Sequence, residues 1–319
     1  MTAAEADLTG DPNVWHSGER AMQASVGKRS DMENRGRVVL RDHMPDQHRQ
    51  FFAEREELFL ALLDGAGYPW ATVVEGDKGF ITSPAPQILA IAALPDAADP
   101  RRARISDGAP VGVLGLGFST RRRNRLNGEI LYADGARGFM VKVVQSFGNC
   151  PKYIQTRRPT APLVTATTLR SLPVELTDGL SAGYAAMIGK ADTFFIASRS
   201  VAPGLVRSEG LDVSHRGGLP GFVVVENSRR LVFPDYRGNN FFNTIGNLAV
   251  DPRCGLLFID FANGATLQLV GRGDVLTGSS VSSRWSSAER AIAIDIERVA
   301  YTPHRVKARY AFESFAPEL

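Results

Sequence analysis

The stretch from Asp212 to Arg272 constrains this chain most. Apolar runs at residues 222–225, 231–233, 255–261 and 266–270 are separated by turn-rich segments, which predicts successive antiparallel strands. One short helix interrupts them. Phe241, Ile245 and Leu248 stand at i, i+4 and i+7 and make one apolar stripe, and Asp251-Pro252 ends it. Just before this helix, Asp235, Tyr236, Asn239 and Asn240 form a polar corner, and Asn243 and Thr244 open the helix itself. Unpaired backbone N–H groups and the positive end of the helix dipole converge at such a corner, so it suits a phosphate.

The rest of the chain repeats this β character. Residues 111–128 align with 254–271 at a constant offset of 143, matching Gly112/Gly255, Leu114/Leu257, Phe118/Phe261, Leu126/Leu269 and Gly128/Gly271. Two further blocks are collinear: residues 69–76 (PWATVVEG) with 220–227 (PGFVVVEN), and residues 139–154 with 291–306, which sets Pro151 over Pro303. Together they predict a duplicated β unit, each copy closing a small barrel. The expected organisation is an N-terminal arm over residues 1–35, a first repeat over 36–158, a linker over 159–170 and a second repeat over 171–319. Residues 1–13 read as a mobile tail, and in the arm Ser17 is placed to cap a short helix containing Glu19. Residues 83–107 read as a long connection with one embedded strand, ILAIAAL.

Several classes are excluded. A net charge of +3 over 319 residues is no basis for nucleic-acid binding by bulk electrostatics. The two cysteines, Cys150 and Cys254, have no paired spacing, so a disulfide framework is not the organising principle. No basic-then-apolar leader and no long apolar run occurs, which predicts a cytoplasmic protein without membrane contact. The five histidines contain no HxxxH or HExxH pair, and Ser181 in a GxSxG string follows polar residues rather than a strand and reads as a helix start.

The phrases carrying a wider likeness are SHRGGLPGFVVV, FPDYRGNNFFNTIGNL, DPRCGLLFIDF through LQLVGR, and QSFGNCPKYIQ at residues 145–155. In them the chain resembles the pyridoxamine 5'-phosphate oxidase-like flavoproteins, the FMN-binding split barrels. The resemblance implies a mainly β fold with peripheral helices and two split barrels. It also implies a non-covalently held flavin, most directly FMN with FAD or F420 as alternatives, and an oxidoreductase acting on a small molecule. Haem-binding relatives make haem the alternative cofactor, and a non-catalytic flavin-binding module is the third reading. In this fold the turn after Ser214, His215 and Arg216 edges the flavin, which makes Ser214 and Arg216 phosphate candidates and sets His215 toward the ring or a haem iron. The resembling oxidases carry Arg and Lys where this chain has Asn239 and Asn240, so either the phosphate falls to amides and to Arg216 or Arg272, or the site holds something other than FMN.

Two more groups are candidates from the residues alone. Gln268 has the opposite parity to Leu267 and Leu269, which aims it at a groove if the leucines face the core. Gln145, Asn149, Lys152 and Tyr153 form a second polar cluster, fitted to an anionic substrate or cofactor. Arg121, Arg122, Arg123 and Arg125 read as a solvated strand edge, or else as an attractor of an anionic ligand. The second repeat keeps the polar corner and the first keeps the NCPKYI segment, so one complete site per chain is expected between the repeats. A homodimer of chains is compatible with that.

Overall fold

Apolar and β-branched runs set between glycine- and proline-containing turns make strand the commonest regular structure of the chain. The computed structural model describes residues 14–96, 99, 102, 104–160, 174–200 and 208–319. The expected tail and most of the expected linker lie outside these residues. Three helices come first, α1 (Ser17–Ser25), α2 (Arg29–Val39) and α3 (Asp46–Ala53). The strands β1 (Glu57–Leu63), β2 (Pro69–Glu75), β3 (Ile81–Ala85), β4 (Ile88–Ile91), β5 (Pro110–Gly117), β6 (Arg122–Asp134) and β7 (Gly138–Asn149) then build one antiparallel sheet in the order β2-β1-β5-β6-β7-β4-β3.

After β8 (Thr156–Thr160), β9 (Glu175–Thr177) and α4 (Ala182–Lys190), the pattern recurs. The strands β10 (Thr193–Arg199), β11 (Leu211–Gly217), β12 (Val224–Asn227), β13 (Arg230–Tyr236), β14 (Arg253–Ile259), β15 (Thr266–Leu276) and β16 (Ala288–Thr302) pair in the order β11-β10-β14-β15-β16-β13-β12. Helix α5 (Asn243–Val250) lies between β13 and β14, α6 (Ser279–Arg284) precedes β16, and β17 (Arg309–Ser314) returns to pair with β8. Strand for strand the two orders are the same, and the fold is mainly β, of split-barrel type, with peripheral helices. Among the described residues no helix is long and apolar enough to cross a membrane.

The register tests the alignments directly. Val111 pairs with Gly128 and Cys254 with Gly271, so the 143-residue offset holds across both hairpins. Both second strands also bulge at the same place when they meet the third, at Asn127/Gly128 and Val270/Gly271. The other two blocks need correction. The strand order makes β11 the counterpart of β2, whereas the block starting at Pro220 runs into β12, the counterpart of β3. The last block slips by one: Gly128 faces Val143 and Gly271 faces Ile296, an offset of 153, so Pro151 stands over His304. A one-residue slip exchanges the two faces of a strand, which is why the correction matters. The long connection holds two strands, β3 as well as β4; Pro84 lies within β3, which is an edge strand, where proline is tolerated.

Each sheet wraps its own apolar core, with Leu58, Val113, Leu126 and Val141 in the first and Phe194, Phe233, Leu256 and Ile294 in the second. A third core lies between them. Phe59 on β1 and Phe195 on β10 stack with ring centroids 3.6 Å apart and planes 14° apart, flanked by Leu114, Val213 and Leu257. Two glycines in equivalent positions allow this approach: a Cβ on Gly255 would stand 2.2 Å from the Pro69 carbonyl oxygen, and one on Gly112 would stand 3.0 Å from the Asp212 Cα. The sheets therefore meet as a pseudo-twofold pair inside one chain.

Candidate functional site

A cleft opens where the two sheets meet. The first sheet contributes Arg123 and Arg125 from β6, Asn149 from β7, and Cys150, Lys152 and Tyr153 beyond it. The second contributes Ser214, His215 and Arg216 from β11, Asp235 and Tyr236 from β13, and Arg290 from β16. Asn239, Asn240, Asn243 and Thr244 close it from the corner before α5.

Strand parity explains the deep donors. Leu126 and Ile130 on β6 point into the first core, so Arg123, Arg125 and Asn127 share the opposite face, which the second sheet covers. Arg125 donates to Asp212 Oδ2 at 2.9 Å, to Ser214 Oγ at 2.7 Å and to Asn243 Oδ1 at 3.1 Å, and Asn127 donates to Asp212 Oδ1 at 3.2 Å. Thr244 also bonds Ser214 Oγ at 3.0 Å, so Ser214 orients Arg125 rather than presenting a free hydroxyl. Arg216 and Arg290 both donate to Asp235, at 2.8 and 3.1 Å.

Arg123 is different. Among the described residues no carboxylate is within ion-pair range of it; its neighbours are His215 Nδ1 at 3.3 Å and Cys150 Sγ at 3.7 Å. Burial lowers its pKa to about 10, so it stays cationic at neutral pH. A guanidinium can only donate, so His215 Nδ1 accepts and the ring proton sits on Nε2. Burial, and then the charge of Arg123, holds His215 well below its ordinary pKa and therefore neutral. Its Nε2–H has no partner, and neither do Nε of Arg123, Arg125 and Arg216 or Oδ1 of Asn149. Orphaned buried polar atoms occur elsewhere in the molecule as well, but here four donors belong to residues lining one cleft. Five cations line the cleft, faced by Asp235 and, behind Arg125, by Asp212. An anionic acceptor therefore fits.

The backbone is strained around the same space. Tyr153, Asn240 and Phe242 have φ of 63°, 62° and 61°, a left-handed conformation that costs non-glycine residues about 1–3 kcal/mol each. Tyr153 stacks on Tyr236 at 5.1 Å, and its hydroxyl donates to the Arg237 carbonyl at 3.1 Å. This pair joins the NCPKYI segment of the first sheet to the corner of the second.

Three expected residues lie elsewhere. Gln268 does stand in the groove between the sheets, but on the pseudo-equivalent side, where it donates to the Ala71 carbonyl at 2.7 Å. The 143 offset makes it the counterpart of Arg125, and Thr266 that of Arg123, so the equivalent position has lost its guanidinium groups. Arg272 faces Arg253 and Asp295 across β15, outside the cleft. Gln145 is buried on β7 opposite Asn127 and does not line it. Conversely, Arg123, Arg125, Thr244 and Arg290 are brought in. The i, i+2 spacing of Arg123 and Arg125 was the available signal.

The arm's helix is capped by His16 rather than Ser17. The His16 ring accepts from Gly18 N at 3.2 Å, and Glu19 accepts from His16 N at 3.2 Å, a reciprocal capping box. Burial raises Glu19 to about 8 and lowers His16 to about 4, so near neutrality their 3.6 Å contact joins two uncharged groups. Burial likewise raises Glu57, bonded to the Tyr310 hydroxyl, to about 7. These carboxyls fix the sign of the pH dependence of stability. Between the unfolded value near 4.5 and their folded values the native state holds more protons, so stability falls as pH rises. His16 and His48, both lowered to about 4 by burial, act oppositely but only below 6.5. The thermal midpoint should therefore drop between pH 6.5 and 8.5, and Glu57→Gln should remove part of the drop; an unchanged slope in that variant would show that Glu57 is not buried as described.

No family model matches the chain, and no curated protein matches it. Among solved structures it is similar to a candidate pyridoxamine 5'-phosphate oxidase from Lactobacillus delbrueckii, with 13% identity over 39% of this chain and 94% of that one, at a TM-score of 0.30. It is also similar to HupZ of Group A Streptococcus, with 9% identity over 41% and 98%, at 0.31. An FMN-binding protein from Syntrophomonas wolfei matches with 7% identity over 37% and 82%, at 0.28. The strand order, not these scores, carries the fold described above.

Proposed function

We propose that this chain binds a flavin, FMN in the first instance, in the cleft between its two sheets, and works as a flavin-dependent oxidoreductase on a small molecule. The observation that supports this reading is the convergence of Arg123, Arg125, Arg216 and His215, each with an unsatisfied buried N–H, on one cleft between the sheets. Arg123 has no counter-ion among the described residues and would take the phosphate, with Arg216 and Lys152 beside it. The His215 Nε2–H offers a donor, Tyr153 and Tyr236 offer an aromatic wall, and the corner amides of Asn239 and Asn240 add polar contacts. Bound there, the flavin supplies the electron transfer, and the protein's part is to hold it and exclude water. The reading includes a duplicated unit with one equipped site per chain, so a homodimer is compatible but not required.

The test is spectroscopic. Protein purified from cells, or mixed with FMN, should show flavin absorption at one equivalent per chain and quenched flavin fluorescence. A protein that binds none of FMN, FAD and F420 would overturn the proposal. A Soret band in place of flavin bands, lost in His215→Ala, would favour the haem alternative; the proton on Nε2 speaks against iron ligation at that atom.

A further inference from the structure

The N-terminal arm reaches the cleft through one buried side chain. Helices α1 and α5 cross at Gly18 and Gly246, so closely that a Cβ on Gly18 would stand 2.0 Å from the Gly246 carbonyl oxygen and one on Gly246 2.7 Å from Glu19. This contact buries Glu19, which is 1% exposed. Its Oε1 accepts from Asn243 Nδ2 at 2.6 Å, and Asn243 Oδ1 accepts from Arg125 at 3.1 Å. The relay has a fixed direction. Arg125 can only donate, so the Asn243 carbonyl oxygen must face it, and the amide nitrogen is left for Glu19. The arm is anchored nearby as well: His16 bonds Asn247 at 2.9 Å and Ser208 at 2.7 Å, and Trp15 packs on Phe241 at 5.0 Å.

We infer that the arm completes the anion site and that Glu19 is a positioning residue, holding the Arg125 guanidinium on the cleft through Asn243 and tuning the cleft's hold on a phosphate by its own charge. This rests on the reading that the cleft binds a phosphate-bearing ligand. The groups around Glu19 are His16 from the arm, Asn243 from α5, Asp212 from β11, Arg125 from β6, and Ser208, with Arg20 and Asn247 acting on His16 in turn. His16 is already neutral above pH 6.5, so within this cluster Glu19 is the group that changes charge between pH 7 and 9. When it ionises, a negative charge appears behind Arg125 and opposes the incoming anion.

The experiment measures binding of FMN by fluorescence quenching and of inorganic phosphate by thermal shift, at pH 7 and pH 9. From pH 7 to pH 9 wild type should lose about tenfold more affinity for each probe than Glu19→Gln does, the effect one unit charge exerts on another roughly 12 Å away at an effective dielectric of ~20; the phosphate's own second ionisation is common to both proteins. Glu19→Gln, which keeps the accepting oxygen but cannot ionise, should bind at pH 7 like wild type and lose the pH step. Asn243→Ala cuts the relay from the other side; it should bind more weakly at pH 7, with a smaller step, and it decides the matter if Glu19→Gln does not fold. Every other pH effect is common to wild type and Glu19→Gln, so the difference between those two belongs to Glu19. A wild-type pH slope in both variants overturns the inference and leaves the flavin reading standing. Phosphate binding with the expected slopes but no binding of FMN sinks the flavin reading and leaves the arm's role. A wild type that binds neither probe overturns both.

Discussion

Arg123→Ala is expected to weaken FMN binding by about 10- to 100-fold while leaving the thermal midpoint unchanged or slightly higher, and Arg125→Ala is expected to lower both binding and stability. The two arginines sit two residues apart on one strand face, but their partners differ. A hydrogen bond to a charged group contributes about 1.5–3 kcal/mol, which sets the loss of affinity for either variant. Removing Arg123 strands no counter-ion, because its neighbours are a neutral imidazole and a thiol. Removing Arg125 takes the ion-pair partner from buried Asp212 and leaves it only the neutral donors Asn127 and Ser214; breaking a buried pair costs about 3–5 kcal/mol. Paired measurements of FMN affinity and unfolding midpoint separate the two. If Arg123→Ala destabilised the protein and kept its flavin, Arg123 would be a structural cation and the site assignment would fail.

Phe195→Ala should cost about 3–5 kcal/mol of stability, the range for emptying a fully buried aromatic site. The ring fills the centre of the inter-sheet core and stacks on Phe59, so Phe59→Ala should cost a similar amount. Only Phe195 also meets the His215 ring edge-on, with centroids 5.8 Å apart. Among variants still folded at low temperature, Phe195→Ala should therefore lose more flavin affinity than Phe59→Ala. Chemical denaturation and flavin titration measure the two effects. Losses under about 1 kcal/mol in both variants would mean that this core does not hold the sheets together.

The 143-residue offset was legible because it rests on local strand periodicity; of the expected helical stripe only Ile245 and Leu248 share the helix and its core, whereas Phe241 precedes the helix and packs with Trp15 and Phe147. The block that set Pro220 over Pro69 misled for a physical reason. The true counterpart of β2 is β11, which carries Asp212, Ser214 and Arg216 for the cleft where β2 carries Trp70, Thr72 and Val74, so function erased the likeness. Polar clusters at Asn149–Tyr153 and Asp235–Asn243 were readable as clusters. That β6 turns Arg123 and Arg125 toward β11 was not, since sequence gives a strand's alternation but not what covers its second face. Gln268 failed from the same cause: its parity was read correctly, but it faces the other side of the pseudo-twofold.

The order of synthesis gives the relay and the cleft a shared timing. Arm, Arg123, Arg125 and Lys152 leave the ribosome first, at a stage when a folding N-terminal half has nothing to cover their face. Glu19 waits for Asn243, 224 residues later, and the strand β8 waits for β17 at the end of the chain. Contacts this distant in sequence form slowly, because the entropy of closing the loop comes before any reward. The cleft itself takes Ser214, His215, Arg216, Asp235 and the corner before α5 from the second half of the chain, so it exists only once that half has docked.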